Sequence, residues 1–459
     1  MATEIATDEL KTRAKEIAER ETANLLDRTG ASAKLYQRAI KSLPLGVTSS
    51  FQANEPYPLY GDHGKGSKLW DVDGNEYVDY HNGFGTMVVG HAHPKVVAAI
   101  EKAARSGTHF ATTTPTAIEM AEELCRRFGL ERVRFSNSGT EATMDAIRVG
   151  RAVTGKDGLL KIEASYHGHH DVVMFSVIPS YDELGPTERP YNAPFSRGIT
   201  KGTASEIHVV PFNDPAALEA KLAESGDEIG AMIMEPIMMN VGLIPPDPGY
   251  LEKVRELCTK HNVAMIFDEV KTGATVAPGG AIELFGVQPD LACFAKAIGG
   301  GAPIGAFGGK AVFMDEIGKS LAALGTFNGN PLSTSAGLAA LTEVLVPEAY
   351  DHLSKLGTRL ATGCEKVLSE YGIAGHVRDF GSKGAISYRA EPFRNYRDYL
   401  EADAEIFYGN YPWMLNRGIF MTPGDEEQWT ISVQHSDEDI DRYVDAYAGY
   451  CEELTRGIS

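Results

Sequence analysis

The chain has 459 residues, 43% of them hydrophobic and 23% charged, with 48 glycines, a soluble globular composition long enough for two domains or one large domain with an appendage. A formal net charge of −20 argues against nucleic acid or an anionic membrane as a partner, because such a surface repels phosphate. Five scattered cysteines without a CxxC pair exclude a disulfide framework or cysteine-rich zinc module. With a charged N-terminus and no apolar run of ~20 residues, they predict a cytoplasmic protein.

In chain order, residues 8–28 predict an amphipathic helix and SAKLYQRAIKSLP a second, shorter one. LWDVDGNEYVDY is two alternating runs around Asp73-Gly74-Asn75, a hairpin signal. Short apolar runs then alternate with helical patterns. VRFSNSG, LLKIEASYHG, IHVVPF, AMIMEP, VAMIFDEV and LACFAKA read as strands. PTAIEMAEELCRRF, EATMDAIRVGRAV and GYLEKVRELCTKH read as helices. This alternation predicts an α/β fold with a mostly parallel sheet covered on both faces. From about residue 336 the texture becomes α+β: a long helical region, VRDFGSKGAISYRAE, the strand-like GIFMTPG and WTISVQ, and a closing helix. The expected division is 1–80 for the N-terminal helices and hairpin, 81–335 for the large α/β domain and 336–459 for the smaller C-terminal domain.

In such sheets function gathers at the carboxyl ends of strands. FSNSGTEATMDAIR breaks a strand and starts a helix at once, and Ser138 with Glu141 fits a capping box. The amides of Gly139 and Thr140 would face outward at a positive helix end, as a phosphate cradle or as an ordinary capped terminus. VAMIFDEVKTG ends a strand with Asp268 and Glu269, which face opposite sides. A buried carboxylate needs a cationic or hydrogen-bonding partner, which a pyridinium, a metal or an arginine can supply. For a pyridinium at ~4 Å and an effective dielectric of ~20, the attraction is about 4 kcal/mol. Tyr166 in SYHGHHD offers an aromatic face; the adjoining His167, His169 and His170 lack a second ligand cluster of tetrahedral spacing. Lys296 in LACFAKAIGGG ends an apolar run before three glycines. It either snorkels to solvent or is a nucleophile whose neutral form burial favours, with Gly299–Gly301 letting the chain turn closely beside it. Phosphate cradle, clamped ring, aromatic stack and reactive lysine together describe pyridoxal 5′-phosphate.

FSNSGTEATMDAIR, YHGHHD, IFDEVKTG, AKAIGGGAPIGAFGG and GTFNGNPLSTSAGLA resemble the signatures of class III pyridoxal-phosphate aminotransferases, in the branch containing glutamate-1-semialdehyde 2,1-aminomutase. The resemblance runs from about residue 35 to about 445. It implies a fold-type I enzyme with a seven-stranded-type sheet, working as a homodimer with active sites at the interface. By resemblance, Lys296 is the Schiff-base lysine, Asp268 the partner of the ring nitrogen and Val270 a packing residue on the ring. Ser138, Gly139 and Thr140 hold the phosphate, and Tyr166 stacks on the ring with His167 beside it. Glu235 and Asn240 line the ring's edge, and Thr326 reaches the other subunit's phosphate. On the substrate side, Ser49 matches a serine of the aminomutase. Gln52 stands where that enzyme has a carboxylate-gripping arginine, Phe84 where it has tryptophan, and Glu427 matches a carboxylate. Gln52 cannot supply a charged, bidentate fork. The expectation is therefore transfer of an amino group between an amine or amino acid and a keto or aldehyde acceptor, with the aminomutase reaction as the alternative. The proline-rich segment between Phe175 and Ile207 is expected to be a lid, a surface loop or a dimer arm, and its Arg189 and Arg197 are candidate carboxylate grips.

Overall fold

The computed structural model describes residues 7–424 and 429–457. At its centre is a seven-stranded sheet in the order Arg132–Ser136, Gly305–Gly309, Leu291–Phe294, Ala264–Asp268, Ile229–Met234, Gly158–Ile162, Ile207–Val210. Gly305–Gly309 is antiparallel to both of its neighbours and the remaining pairs are parallel. Alternate residues feed two cores. Ile233, Ile266 and Cys293 pack with Ala142, Ala146 and Ile147 of helix Gly139–Thr154. Met232, Met265, Phe267 and Phe294 pack into the larger core on the other face. Burial on both faces is why these strands read as continuous apolar runs.

The antiparallel strand escaped the sequence reading because its glycines resemble a turn. A Cβ at Gly305, Gly308 or Gly309 would come within 2.2, 2.3 and 2.1 Å of the carbonyl oxygens of Ser138, Arg132 and Asp290. Glycine is what lets this strand thread between two others.

The N-terminal helix Thr7–Asp27 lies against helices Ala404–Asn416 and Asp437–Thr455. The predicted hairpin forms as Lys68–Asp71 with Glu76–Asp79, and Ile419–Phe420 adds to it as a parallel strand. The two ends of the chain thus share one sheet. A second small sheet joins His376–Phe380, Lys383–Ser387 and Trp429–Thr430.

The long segment after Phe175 is fastened to the C-terminal region. The Tyr396 hydroxyl donates to the Pro179 carbonyl at 2.8 Å, and the Arg397 guanidinium donates to the carbonyls of Leu184 and Gly185 while pairing with Glu163. Tyr181 adds a hydroxyl bond to the Leu400 carbonyl.

Candidate active site

The strand ends converge on a cavity of about 170 Å³ lined by Gly139, Thr140, Thr143, Tyr166, His167, Gly168, Glu235, Asn240, Asp268, Val270, Lys271, Ala295 and Lys296. Most come from the C-terminal end of a strand or the segment following it, where a parallel sheet leaves a crevice, and Gly139, Thr140 and Thr143 come from the first turns of the helix after strand Arg132–Ser136.

Helix Gly139–Thr154 starts at the rim. Ser138 Oγ accepts from the Glu141 N–H at 3.2 Å, as the capping pattern predicts. The reciprocal arm differs from the expectation: Glu141 Oε2 accepts from the Asn137 N–H at 2.5 Å, one residue before the cap. The carboxylate still sits at the positive helix end, where it is favoured. Ser138 stands behind the rim; Gly139 and Thr140 line it. A Cβ on Gly139 would lie 3.1 Å from both Val270 methyls, and one on Gly168 would lie 2.8 Å from the Thr140 Cα. These glycines bring backbone close to the place a phosphate and ring would occupy.

Asp268 is buried beneath the cavity. Its Oδ1 accepts from the Val270 N–H at 3.0 Å and its Oδ2 from His167 Nδ1 at 2.7 Å. A carboxylate has about four lone-pair sites, so capacity remains for a protonated ring nitrogen. Glu269 turns to the opposite side, where it accepts from the Ala281 and Ile282 N–H groups at 3.0 and 2.8 Å. Burial pushes its carboxyl up to about 7. The split predicted from strand alternation is realised.

Glu235 ties two rims together. One oxygen accepts from the Tyr166 N–H at 3.1 Å, and the other from the Met239 N–H and Asn240 Nδ2, both at 2.9 Å. Thr143 Oγ1 donates to the His167 carbonyl at 2.7 Å, fixing the loop that carries Tyr166 and His167. His170 lies behind it and burial pulls its imidazole down to about 3.

Lys296 has φ of +49°, a left-handed conformation for a residue with a side chain; such strain collects at functional positions. The three following glycines do not line the cavity. Gly300 and Gly301 also have positive φ, and Cβ atoms there would meet Ala340 Cβ at 2.9 Å and Met87 Sδ at 2.8 Å. The glycine run therefore makes the turn and admits its neighbours, whereas the space beside the amine is bounded by Ala295, Val270 and Gly139.

The sequence-predicted substrate residues lie farther out. Ser49 caps the turn Ser50–Gln52, and Gln52 Oε1 accepts from the Ser49 N–H at 3.1 Å and Thr48 Oγ1 at 2.6 Å. Phe51, which the sequence reading passed over, bridges the mouth. Its ring is 5.7 Å from Tyr166, edge-on, and 6.0 Å from Phe84. Thr326 is exposed and lines a separate depression of about 950 Å³. Glu427 lies outside the described residues. Arg189 pairs with Glu224 on the outer surface, and neither it nor Arg197 lines the cavity. Lys271 also escaped the sequence reading; its only signal was a second lysine three residues after the strand-end aspartate.

This geometry fits pyridoxal phosphate: a glycine-lined helix start for the phosphate, a carboxylate with spare acceptor capacity for the ring nitrogen, an aromatic side chain and a strained lysine facing the same small space. The comparisons agree. The aminotransferase class-III family model matches residues 50–406. The chain is 39% identical to a glutamate-1-semialdehyde 2,1-aminomutase of Brevibacillus brevis over 421 residues, 90% of this chain and 96% of that protein. It is also 39% identical to one from Methanopyrus kandleri over 92% of this chain and 98% of that protein. Among solved structures, an omega-transaminase from Sphaerobacter thermophilus superposes with a TM-score of 0.89 at 33% identity, covering 94% of this chain and 99% of that one. A transaminase with PLP bound gives 0.85 at 32%, again covering 94% and 99%. A glutamate-1-semialdehyde-aminomutase from Pseudomonas aeruginosa gives 0.87 at 27%, covering 98% and 100%. The chain belongs to the class-III aminotransferases and is a pyridoxal-phosphate-dependent enzyme of that family.

Proposed function

We propose that the enzyme is a transaminase running two half-reactions: an amine or amino acid leaves its amino group with the cofactor, and a keto or aldehyde acceptor then takes it. Bound pyridoxal phosphate supplies an aldehyde for the amine and a ring that draws electrons from the substrate carbon. Asp268 would favour a positive charge on the ring nitrogen, and His167 orients that carboxylate. Lys296 Nζ is the amine that would hold the cofactor and, when free, would serve as the base that holds or moves a proton in the cavity. Gly139 and Thr140, with Ser138 behind them, would hold the phosphate, and Val270, Tyr166, Glu235 and Asn240 would line the space for the ring.

The observation favouring transamination is Gln52. Its carbonyl oxygen caps its own turn, and an uncharged amide replaces the carboxylate-gripping arginine expected of an aminomutase. The second reading, intramolecular amino transfer in glutamate-1-semialdehyde, is favoured by the names of the relatives that are 39% identical over nine-tenths of the chain. Glutamate-1-semialdehyde given to the purified enzyme without an amino acceptor separates them. Slow or absent 5-aminolevulinate formation, with ready conversion of the cofactor's visible band by simple amino donors, is expected. Rapid multiple turnover would replace the first reading with the second.

The same reading includes a homodimer in the cytoplasm. Leu324 and Phe327 are exposed beside Thr326, an apolar surface for a second copy whose phosphate Thr326 would reach. Among the described residues no helix is long and apolar enough to cross a membrane.

A further inference from the structure

We infer that Phe51 is a specificity-determining residue that selects a substrate with an aromatic body, and that Gln52 is the positioning residue that aims it, an inference that rests on the aminotransferase reading above. Gln52 spends its carbonyl oxygen inside its own turn. Oε1 accepts from Thr48 Oγ1 at 2.6 Å and from the Ser49 N–H at 3.1 Å, while the Gln52 N–H donates to the Ser49 carbonyl at 2.9 Å. Phe51 is the middle residue of the turn Ser50–Gln52. The bonds that close the turn therefore fix the direction in which its side chain leaves the backbone.

The Phe51 ring is 60% exposed, an apolar face that folding leaves open. Its centroid lies 5.7 Å from that of Tyr166 with the planes at 89°, and 6.0 Å from that of Phe84 at 58°. Tyr166 lines the cavity that contains Lys296 and Asp268, so the exposed ring continues the wall of the site. Rings set at these angles make a corner rather than a stack, and a third ring can add to it edge-to-face or offset. Phe84 is fixed by a different device. It lies in a run of four residues with positive φ: Asn82 at +46°, Gly83 at +60°, Phe84 at +54° and Gly85 at +84°. Such strain persists only where surrounding contacts over-determine it. Here Asn82 Nδ2 donates to the Asp79 and Thr430 carbonyls, both at 2.7 Å, and the His81 ring lies 4.2 Å from that of Phe84. Two separate parts of the chain thus present aromatic surface at one mouth. The ligand class is an amine or amino acid whose body carries an aromatic ring.

The test is calorimetric binding to the holoenzyme of 3-phenylpropanol and hexanol, uncharged apolar alcohols without an amino group, one aromatic and one not. Wild type is expected to bind the aromatic alcohol about 5-fold or more tightly than the aliphatic one. Phe51→Ala and Gln52→Leu should each reduce that preference to about 2-fold or less. Gln52→Glu should retain it, because a carboxylate oxygen accepts the same two bonds. Adding Gln52→Leu to Phe51→Ala should change nothing further, since the turn then has no ring to aim. The cofactor's visible band shows whether each variant's site is intact. Equal affinities in wild type, or a full preference in Phe51→Ala or in Gln52→Leu, would overturn the proposal. Loss of the preference in Gln52→Glu as complete as in Gln52→Leu would overturn the positioning role. Loss of the band in both Phe51→Ala and Gln52→Leu would assign this segment to holding the cofactor site and would overturn the proposal too. Failure of every amino donor to convert the band in wild type would instead overturn the aminotransferase reading, independently of the binding result.

Discussion

His167 Nδ1 lies 2.7 Å from Asp268 Oδ2, joining the loop after strand Gly158–Ile162 to the end of strand Ala264–Asp268 across a buried contact. With a carboxylate opposite, Nδ1 carries the proton, and the imidazole fixes the plane in which the other oxygen faces the cavity. Asp268→Asn keeps the shape and removes the charge. With about 4 kcal/mol of attraction at stake, the donor half-reaction should slow by roughly 10²–10³, read by stopped-flow absorbance of the cofactor band. A rate within a factor of a few of wild type would contradict the clamp.

Among the described residues two lysines line the cavity, and of these Lys296 has a positive φ, the strain expected of the lysine that would hold the cofactor. Borohydride reduction of the holoenzyme followed by peptide mass mapping should place the adduct on Lys296. Lys296→Ala should carry none, even with Lys271 intact, and lose about 10²–10⁴ in rate, the usual weight of a positioned acid–base group. An adduct on Lys271 would overturn the assignment of Lys296.

Lys161 is fully buried behind the Tyr166 loop, with Nζ donating to the carbonyls of Ser165, Phe175 and Ser176 at 2.9, 2.5 and 3.2 Å. Desolvation pulls its ammonium down to about 7, against the opposing pull of Glu235 and Glu163. Lys161→Met leaves three carbonyls without their donor, and a loss of about 3 kcal/mol or more is expected in denaturant unfolding. The sign of the pH effect follows from linkage. Between about 7 and the ordinary value of 10.5 the unfolded chain binds more protons at this site than the native one, so wild type gains stability relative to Lys161→Met as pH rises through that window. A constant difference across it would show that the amine does not titrate there.

Gly74 and Gly85 share a φ of +84° and differ in surroundings. A Cβ on Gly74 meets open space, whereas one on Gly85 would lie 2.1 Å from Lys383 Nζ, which donates to Thr430 Oγ1 at 2.9 Å. Gly74→Ala should cost only the backbone term, about 1 kcal/mol. Gly85→Ala should cost about 1–3 kcal/mol more through overpacking, with weaker binding of aromatic ligands because Phe84 is the adjoining residue. Equal thermal shifts for the two would show that Lys383 moves aside freely.

Much of the molecule is local in origin and therefore readable from the chain. Apolar runs ending in polar groups marked the strands of the sheet that are parallel to one another, helix Pro115–Phe128 matched its predicted span, and the opposite facing of Asp268 and Glu269 follows from pleating alone. What the sequence could not yield depends on residues distant along the chain. Gly305–Gly309 is a strand because it pairs with Arg132–Ser136 and Leu291–Phe294, and its glycines are required by the Arg132 and Asp290 carbonyls that crowd it. The N-terminal hairpin is completed by Ile419–Phe420. Lys271 lines the cavity because its strand ends beside those preceding Glu235 and Lys296. Side-chain periodicity records which face of an element is buried; only the packed sheet decides which strand ends become neighbours, and it is there that the charges of this site meet.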